Sequence, residues 1–225
     1  MPVLLKATVM NVAVKNTILI FGALFPIVNP LGGMPIFLSV TREYSSADRG
    51  KLARRISLNS FLLLVVSLLV GTHILSFFGI SLPVVQVGGG LIVVSTGWTM
   101  LNWKPDEERT QTIERQRARK NVMDQAFYPL TLPLTVGPGS ISVAITLGAN
   151  FPRHAGMNLD AIVAAVIGAV ATALTVWICY GFAERLARLI GETGMGVIMR
   201  LSSFLLVCIG VQIIWNGVSA LVKSL

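Results

Sequence analysis

Two short segments combine proline, glycine and neutral polar side chains inside otherwise apolar runs: Pro26-Ile-Val-Asn29-Pro30-Leu-Gly32-Gly33 and Pro133-Leu-Thr135-Val-Gly137-Pro138-Gly139-Ser140. Proline brings no amide donor and clashes with the preceding turn, so a continuous helix through either segment is disfavoured. Where a helix restarts after such a break, its first amides are free and its dipole attracts negative charge. The restarts fall near Gly32 or Gly33 and near Gly139 or Ser140, and a carboxylate suits them. The side chains of Asn29, Thr131 and Thr135 supply oxygens for an ammonium group. The candidate binding set is therefore Asn29, Pro30, Gly32, Gly33, Thr135, Gly137, Pro138, Gly139 and Ser140. The plainer alternative is a pair of proline kinks repaired by neighbouring helices, the usual fate of a single transmembrane proline. Two matched clusters with internal polar groups favour a site.

What is missing narrows the chemistry further. No Asp, Glu, Lys or Arg lies in the runs Asn16 to Thr41, Ile56 to Trp103, Gln125 to Pro152, Ala161 to Ala183 or Leu201 to Val222. Proton relays in transporters use ionisable groups within the membrane, so a buried carboxylate relay has no candidate here. A small zwitterion fits a neutral inventory of amides, carbonyls and hydroxyls. A sodium ion can also be held by such oxygens, and the coupling ion stays open between sodium and proton. No cofactor is implied. Other polar residues carry weaker signals: His73 reads as interfacial, Asn59 and Gln86 as helix-to-helix hydrogen-bonding groups, and Gly88, Gly89 and Gly90 as close helix packing. Cys179 and Cys208 lie within apolar runs without metal-ligand spacing. No nucleophile elbow or paired-histidine zinc motif occurs, so no enzymatic activity is expected.

These segments need elements to hold them, and the composition says which. Of 225 residues 54% are hydrophobic and only 12% charged, with a mean hydropathy of +0.75. A soluble domain carries roughly twice that share of charge. A transmembrane helix takes ~20 apolar residues, so four of the runs hold one span each and Ile56 to Trp103 holds two. The six spans are about Thr17 to Val40, Ile56 to Phe78, Val84 to Trp103, Gln125 to Ala149, Asp160 to Phe182 and Leu201 to Val222. The first apolar run is long, contains prolines and lacks a small-residue cleavage site, so it reads as a retained helix. Lys104 to Asp124 is a polar loop separating two halves, residues 1–103 and 125–225. Glu184 to Arg200 is basic and partly apolar, which suits an interfacial connection.

The halves resemble each other. Pro26 to Pro30 corresponds to Pro133 to Pro138 with one residue inserted, and Leu91 to Gly97 corresponds to Phe204 to Gly210. Each half has three spans, so the second must enter the bilayer in the opposite direction, the inverted-repeat plan of many secondary transporters. The expected fold is an all-α integral membrane protein whose six helices form two inverted three-helix repeats, with spans one and four discontinuous.

Several stretches, Leu24 to Leu38, Phe78 to Val93, Pro133 to Ile141 and Met199 to Gly217, together resemble the MarC family of bacterial inner-membrane proteins over nearly the whole chain. The resemblance implies a six-span protein of the inner membrane, in a family named for a multiple-antibiotic-resistance locus and grouped with neutral amino-acid transporters. Its broken-helix motifs map onto Pro26, Asn29, Pro30, Gly32 and Gly33, and onto Thr135, Gly137, Pro138 and Gly139. The leading expectation is a secondary transporter of a small neutral amino acid or similar zwitterion. The rivals are an exporter of drugs or other metabolites, a channel, and a non-transporting membrane protein. The expected partners are the lipid bilayer and a small-molecule substrate, not nucleic acid, with the oligomeric state open.

The net charge of +8 has a membrane explanation. Arg42, Arg49, Lys51, Arg54 and Arg55 follow span one; Lys104, Arg109, Arg115, Arg117, Arg119 and Lys120 follow span three; Arg185, Arg188 and Arg200 follow span five. Only Lys6, Lys15, Arg153 and Lys223 fall on the other side. The positive-inside rule puts the crowded side in the cytoplasm and both termini outside. A reporter active only in the cytoplasm, fused to Leu225, is expected to stay silent. Strong activity from that fusion overturns the six-span topology.

Overall fold

The computed structural model describes residues 2–102, 125–150 and 159–224. The polar segment Lys104 to Asp124 and Arg153 lie outside the described residues. Within them the chain is all-helical, without a strand, as lipid demands of any segment that does not close into a barrel. The helices are α1 (Pro2–Val28), α2 (Pro30–Val40), α3 (Ser46–Phe77), α4 (Leu82–Leu101), α5 (Ala126–Thr135), α6 (Pro138–Ala149), α7 (Leu159–Gly181) and α8 (Ala183–Lys223). Five spans are long and apolar enough to cross a bilayer, and the α5–α6 pair, bent by 67°, makes a sixth if counted as one.

The two expected breaks differ in kind. α1 and α2 run on as a single span, Ala13–Val40, interrupted only at Asn29. The second break is the sharp bend, and α5 before it is a widened helix with extended backbone at Tyr128 and Leu132, each preceding a proline. A residue before proline is pushed out of the helical region, so two such residues within five positions leave a loosely wound segment.

Apolar runs locate the lipid-buried part of a helix rather than its ends. α3 starts ten residues before the expected span, because Ser45 caps it: its Oγ accepts from the Asp48 amide at 3.1 Å and donates to the Asp48 carboxylate at 2.8 Å. At ~1.5 Å per residue its 32 residues outrun a ~30 Å hydrocarbon core, so Arg49, Lys51, Arg54 and Arg55 ride on the first turns of the helix rather than in a loop. α8 likewise runs as a membrane helix from Thr193 rather than Leu201, and the connection before it is helical up to a break at Gly191, φ 75°. That left-handed angle is one glycine adopts freely.

Among the described residues α4 and α8 form the most extensive packing, α3 lies along α7 and α6, and α1 along α7. Glycines set the first of these. A Cβ on Gly90 would lie 2.8 Å from the Gly210 carbonyl, one on Gly97 2.9 Å from that of Ser203, and one on Gly217 2.7 Å from that of Pro83. The three contacts share one antiparallel register, backbone against backbone, as small residues permit between membrane helices. Gly89 packs on Ser142 and Gly90 on α8, while Gly88 faces open space, so the close packing expected of this triplet comes from its last two members. α6 is held by Gly71 against Ile145 and by Gly148 against the Leu68 carbonyl.

Overpacking such a contact costs about 1–3 kcal/mol. Gly90→Ala and Gly210→Ala are expected to lower the thermal unfolding temperature of the purified protein, and Gly88→Ala to leave it unchanged or slightly higher. Equal melting of all three variants refutes the glycine-set interface.

Candidate site at the junction of the broken helices

Asn29 ends one helix and begins the next. Its amide donates to the Phe25 carbonyl at 2.9 Å, its own carbonyl accepts from the Gly33 amide at 3.0 Å, and its side-chain Oδ1 accepts from the Gly32 amide at 3.0 Å. The backbone at Asn29 is left-handed, φ 48°, a conformation asparagine tolerates better than other residues with a Cβ. Pro30 then opens α2, where its missing N–H loses nothing. Gly32 has no room for a side chain, because a Cβ would overlap the Asn29 amide group. After these bonds the Asn29 Nδ2 group remains buried and without a partner.

The second break keeps its hydrogen bonds by a different route. Thr131 Oγ1 donates to the Ala126 carbonyl at 2.6 Å and Thr135 Oγ1 to the Leu130 carbonyl at 2.7 Å, each five residues back, while the Val136 amide reaches Thr131 O at 2.8 Å. The two hydroxyls thus serve carbonyls along a stretch where Pro129 and Pro133 bring no amides. Both threonines are buried. Asn59 Nδ2 on α3 donates to Thr131 Oγ1 at 3.4 Å. Ser60 Oγ beside it in sequence is fully buried and unpartnered.

Tyr180 of α7 joins the two breaks. Its ring stacks on Phe37 of α2, centroids 4.6 Å apart and planes 9° from parallel. One turn earlier Gly33 lies under the hydroxyl, so close that a Cβ there would sit 2.5 Å from the Tyr180 oxygen. On the other side that oxygen is 3.2 Å from Thr135 Oγ1. The threonine proton is already given to Leu130, so Tyr180 is the donor and its oxygen keeps its lone pairs. Gly33 and Thr135, one from each break, therefore meet at a single phenol.

The other sequence-based candidates are placed as follows. Pro30, Gly32, Gly139 and Ser140 are buried, Gly137 is half-buried, and Pro138 is exposed at the start of α6. Gly137 has extended backbone and accepts from the Ile141 amide at 3.1 Å. Gly139 turns toward α4, where a Cβ would overlap Val93. Tyr180 is absent from the sequence-based set, because nothing in the run Trp177-Ile-Cys-Tyr-Gly separates a buried tyrosine from an interfacial one. Thr131 and Asn59, weak candidates from the sequence, join the same buried polar line. His73 is exposed.

At the basic end of the helices the halves are tied together. Arg49 pairs with Glu184 at 2.6 Å, Ser46 Oγ donates to the same carboxylate at 3.1 Å, and Gln125 Nε2 donates to the Tyr44 hydroxyl at 2.9 Å. Burial, with a smaller push from Glu43, holds the Tyr44 hydroxyl above its ordinary pKa despite the opposing bond from Gln125. It stays neutral at physiological pH. The junction itself holds no ionisable pair, and no cluster of metal-ligating side chains occurs among the described residues. Its chemistry is that of neutral donors and acceptors in a buried setting, where each hydrogen bond counts for more than in water.

A family model described as MarC family integral membrane protein matches residues 14–222. The inner membrane protein MarC of Salmonella typhimurium is 35% identical over 208 residues, covering 89% of this chain and 93% of the relative. The inner membrane protein MarC of Citrobacter koseri is 33% identical over 209 residues, with 89% and 93% covered. The membrane protein YvbG of Bacillus subtilis is 29% identical over 202 residues, with 90% and 93% covered. No solved structure matches. The match takes in both breaks, Tyr180 and every described membrane span from residue 14 onward, and on it the chain belongs to the MarC family of integral membrane proteins.

Proposed function

We propose that this protein is a secondary transporter of a small neutral amino acid or similar zwitterion, working by alternating access between two inverted three-helix repeats. The observation that carries the reading is the buried, uncharged junction where Gly33 and Thr135 meet at Tyr180, with the unpartnered Asn29 Nδ2 belonging to the residue one turn before Gly33. A buried donor without a partner costs about 1–3 kcal/mol, and a ligand acceptor removes that cost. The Gly32 and Gly33 amides are taken by Asn29 itself, so the substrate carboxylate is assigned to Asn29 Nδ2, and its ammonium to the free lone pairs of Tyr180 and the nearby carbonyls. With no side-chain charge in the junction, a ligand of zero net charge is favoured over an anion or a cation. Bare glycine at 33 favours a small one.

The helix packing supports the repeat. If the α1–α2, α3 and α4 set is exchanged with α5–α6, α7 and α8, the contact of α1 with α7 becomes that of α5 with α3, and α4 with α6 becomes α8 with α2; both members of each pair occur. Residue pairs follow. At the offset of 113 that aligns Gly97 with Gly210, the Gly90–Gly210 contact maps onto Ser203–Gly97, the next contact along the same interface. On the same reading the protein lies in a bacterial inner membrane with both termini outside, and the tie among Tyr44, Arg49, Gln125 and Glu184 closes the cytoplasmic end.

An exporter of drugs or other metabolites, or a non-transporting membrane protein, is separated from this reading by measurement. Uptake and counterflow of labelled neutral amino acids in proteoliposomes, with and without sodium or pH gradients, test it directly. Accumulation driven by either gradient supports the proposal and identifies the ion. Absence of exchange for every small zwitterion defeats it.

The junction yields variant-level expectations. Gly33→Leu drives a side chain into Tyr180 and is expected to abolish transport in protein that remains inserted and monodisperse. Asn29→Ala is expected to weaken substrate binding by about 1–2 kcal/mol, in the range of one buried hydrogen bond. Tyr180→Phe keeps the Phe37 stack, leaves Thr135 without its donor, and is expected to raise the half-saturating substrate concentration with little change in thermal stability. Wild-type transport by Gly33→Leu and Tyr180→Phe together means that the breaks are a packed structural joint.

A further inference from the structure

Away from the junction, on the outer face of the α3–α7 pair, lies an open groove of about 500 Å³. Its walls are two stripes at helical spacing: Arg54, Leu58 and Phe61 on α3, and Val170, Leu174 and Trp177 on α7. Its floor is the closest point of the pair, where Ser57 Oγ donates to the Ala173 carbonyl at 2.7 Å. Leu58, Val170, Leu174 and Trp177 are all exposed, so in a bilayer the groove opens to lipid.

One end of this apolar channel is charged. Ser57 opposite Ala173 and Ser46 opposite Glu184 fix an antiparallel register, and it puts Arg54 and Trp177 at the basic end of the pair. Arg54 has no carboxylate partner among the described residues, whereas Arg49, one to two turns closer to the helix end, is paired with Glu184. Beyond Trp177 the rim continues through Phe182, whose ring centroid is 6.3 Å from that of Trp177, to Arg185, which sits over the Phe182 ring at 5.8 Å. An aromatic at headgroup depth, a cation without a counter-ion and an apolar channel running toward the bilayer centre describe the two ends of one amphiphile.

We propose that this groove binds one anionic phospholipid, with its phosphodiester against Arg54 and an acyl chain laid along Leu58, Phe61, Val170 and Leu174. Charge selects the occupant. A choline headgroup would bring a third cation to an end that already holds Arg54 and Arg185. A second copy of the chain would bury Arg54 without a counter-ion.

The test uses the full chain with Trp98, Trp103 and Trp215 replaced by phenylalanine, so that Trp177 alone reports, reconstituted in vesicles with brominated-chain phosphatidylglycerol or brominated-chain phosphatidylcholine. Bromine quenches the indole only at contact. Phosphatidylglycerol is expected to quench Trp177 at a several-fold lower mole fraction than phosphatidylcholine. R54Q is expected to erase that preference and R54K to retain it. Native mass spectrometry of the delipidated protein titrated with phosphatidylglycerol is expected to show one retained lipid per chain, lost in R54Q. Equal quenching by the two lipids, or a preference unchanged in R54Q, overturns the proposal. Trp177 shielded from both lipids in a dimeric protein overturns it in favour of a second copy.

Discussion

Within a bilayer each backbone amide and carbonyl must find its partner in the protein, since lipid offers none, and the broken helices of this chain are built around that demand. Pro129 and Pro133 bring no amides to α5, and three side chains restore order across the two breaks: Asn29 takes the Gly32 amide, Thr131 the Ala126 carbonyl and Thr135 the Leu130 carbonyl. The repairs use small neutral groups close to their own backbone, so they fit without displacing neighbours. They are also unequal. Each threonine hydroxyl gives its one proton to a carbonyl and can still accept, as from Tyr180 and Asn59. The asparagine has two ends, and the repair uses only Oδ1. Its amide group is left over as a buried donor, the unmet demand on which the proposed ligand site rests.

Around these breaks the packing divides into parts that are hard to move and parts that are not. The α4–α8 interface is fixed by backbone against backbone at three levels, Gly90, Gly97 and Gly217. Interiors packed this tightly transmit displacement instead of absorbing it. Between the breaks the contact is of another kind, a phenol ring lying on Phe37 and Gly33 with one hydrogen bond to Thr135. Such a contact can part by a small rotation of α7 against α2 without stripping any backbone group of its partner. The division suits alternating access, in which rigid bundles rock around a site between them.

Much of this was legible in the residues. Charge-free runs gave the spans, because burial in lipid excludes charge, and prolines beside glycines located both breaks. The form of the breaks was not legible. Similar Pro/Gly spelling yields an in-line interruption at Asn29 and a 67° bend between α5 and α6, since the outcome depends on which backbone groups the neighbours satisfy. Helix ends were missed where capping, as at Ser45, extends a helix into charged sequence. Tyr180 was invisible for a related reason: composition reports that a run is apolar, and only the packing reports which of its residues face inward. Gly139 shows the converse, a glycine of the break motif whose bare side is filled by α4.

The distribution of charge ties these points to function. None of the junction residues Asn29, Gly33, Thr131, Thr135 and Tyr180 is an Asp, Glu, Lys or Arg, and the junction is left with dipoles alone. A site of fixed charge would bind a complementary ion strongly, but moving that charge through the low-dielectric interior carries a desolvation cost of several kcal/mol unless it stays paired. A dipolar site meets a dipolar ligand with weaker, shorter-range bonds that can be exchanged one at a time. Asn29 Nδ2 offers a donor, and the Tyr180 oxygen, its proton committed to Thr135, offers acceptors. On the proposed reading, these opposite polarities on two helices would let one small zwitterion bridge them. On that reading, release from either side would need the loss of only one set of bonds.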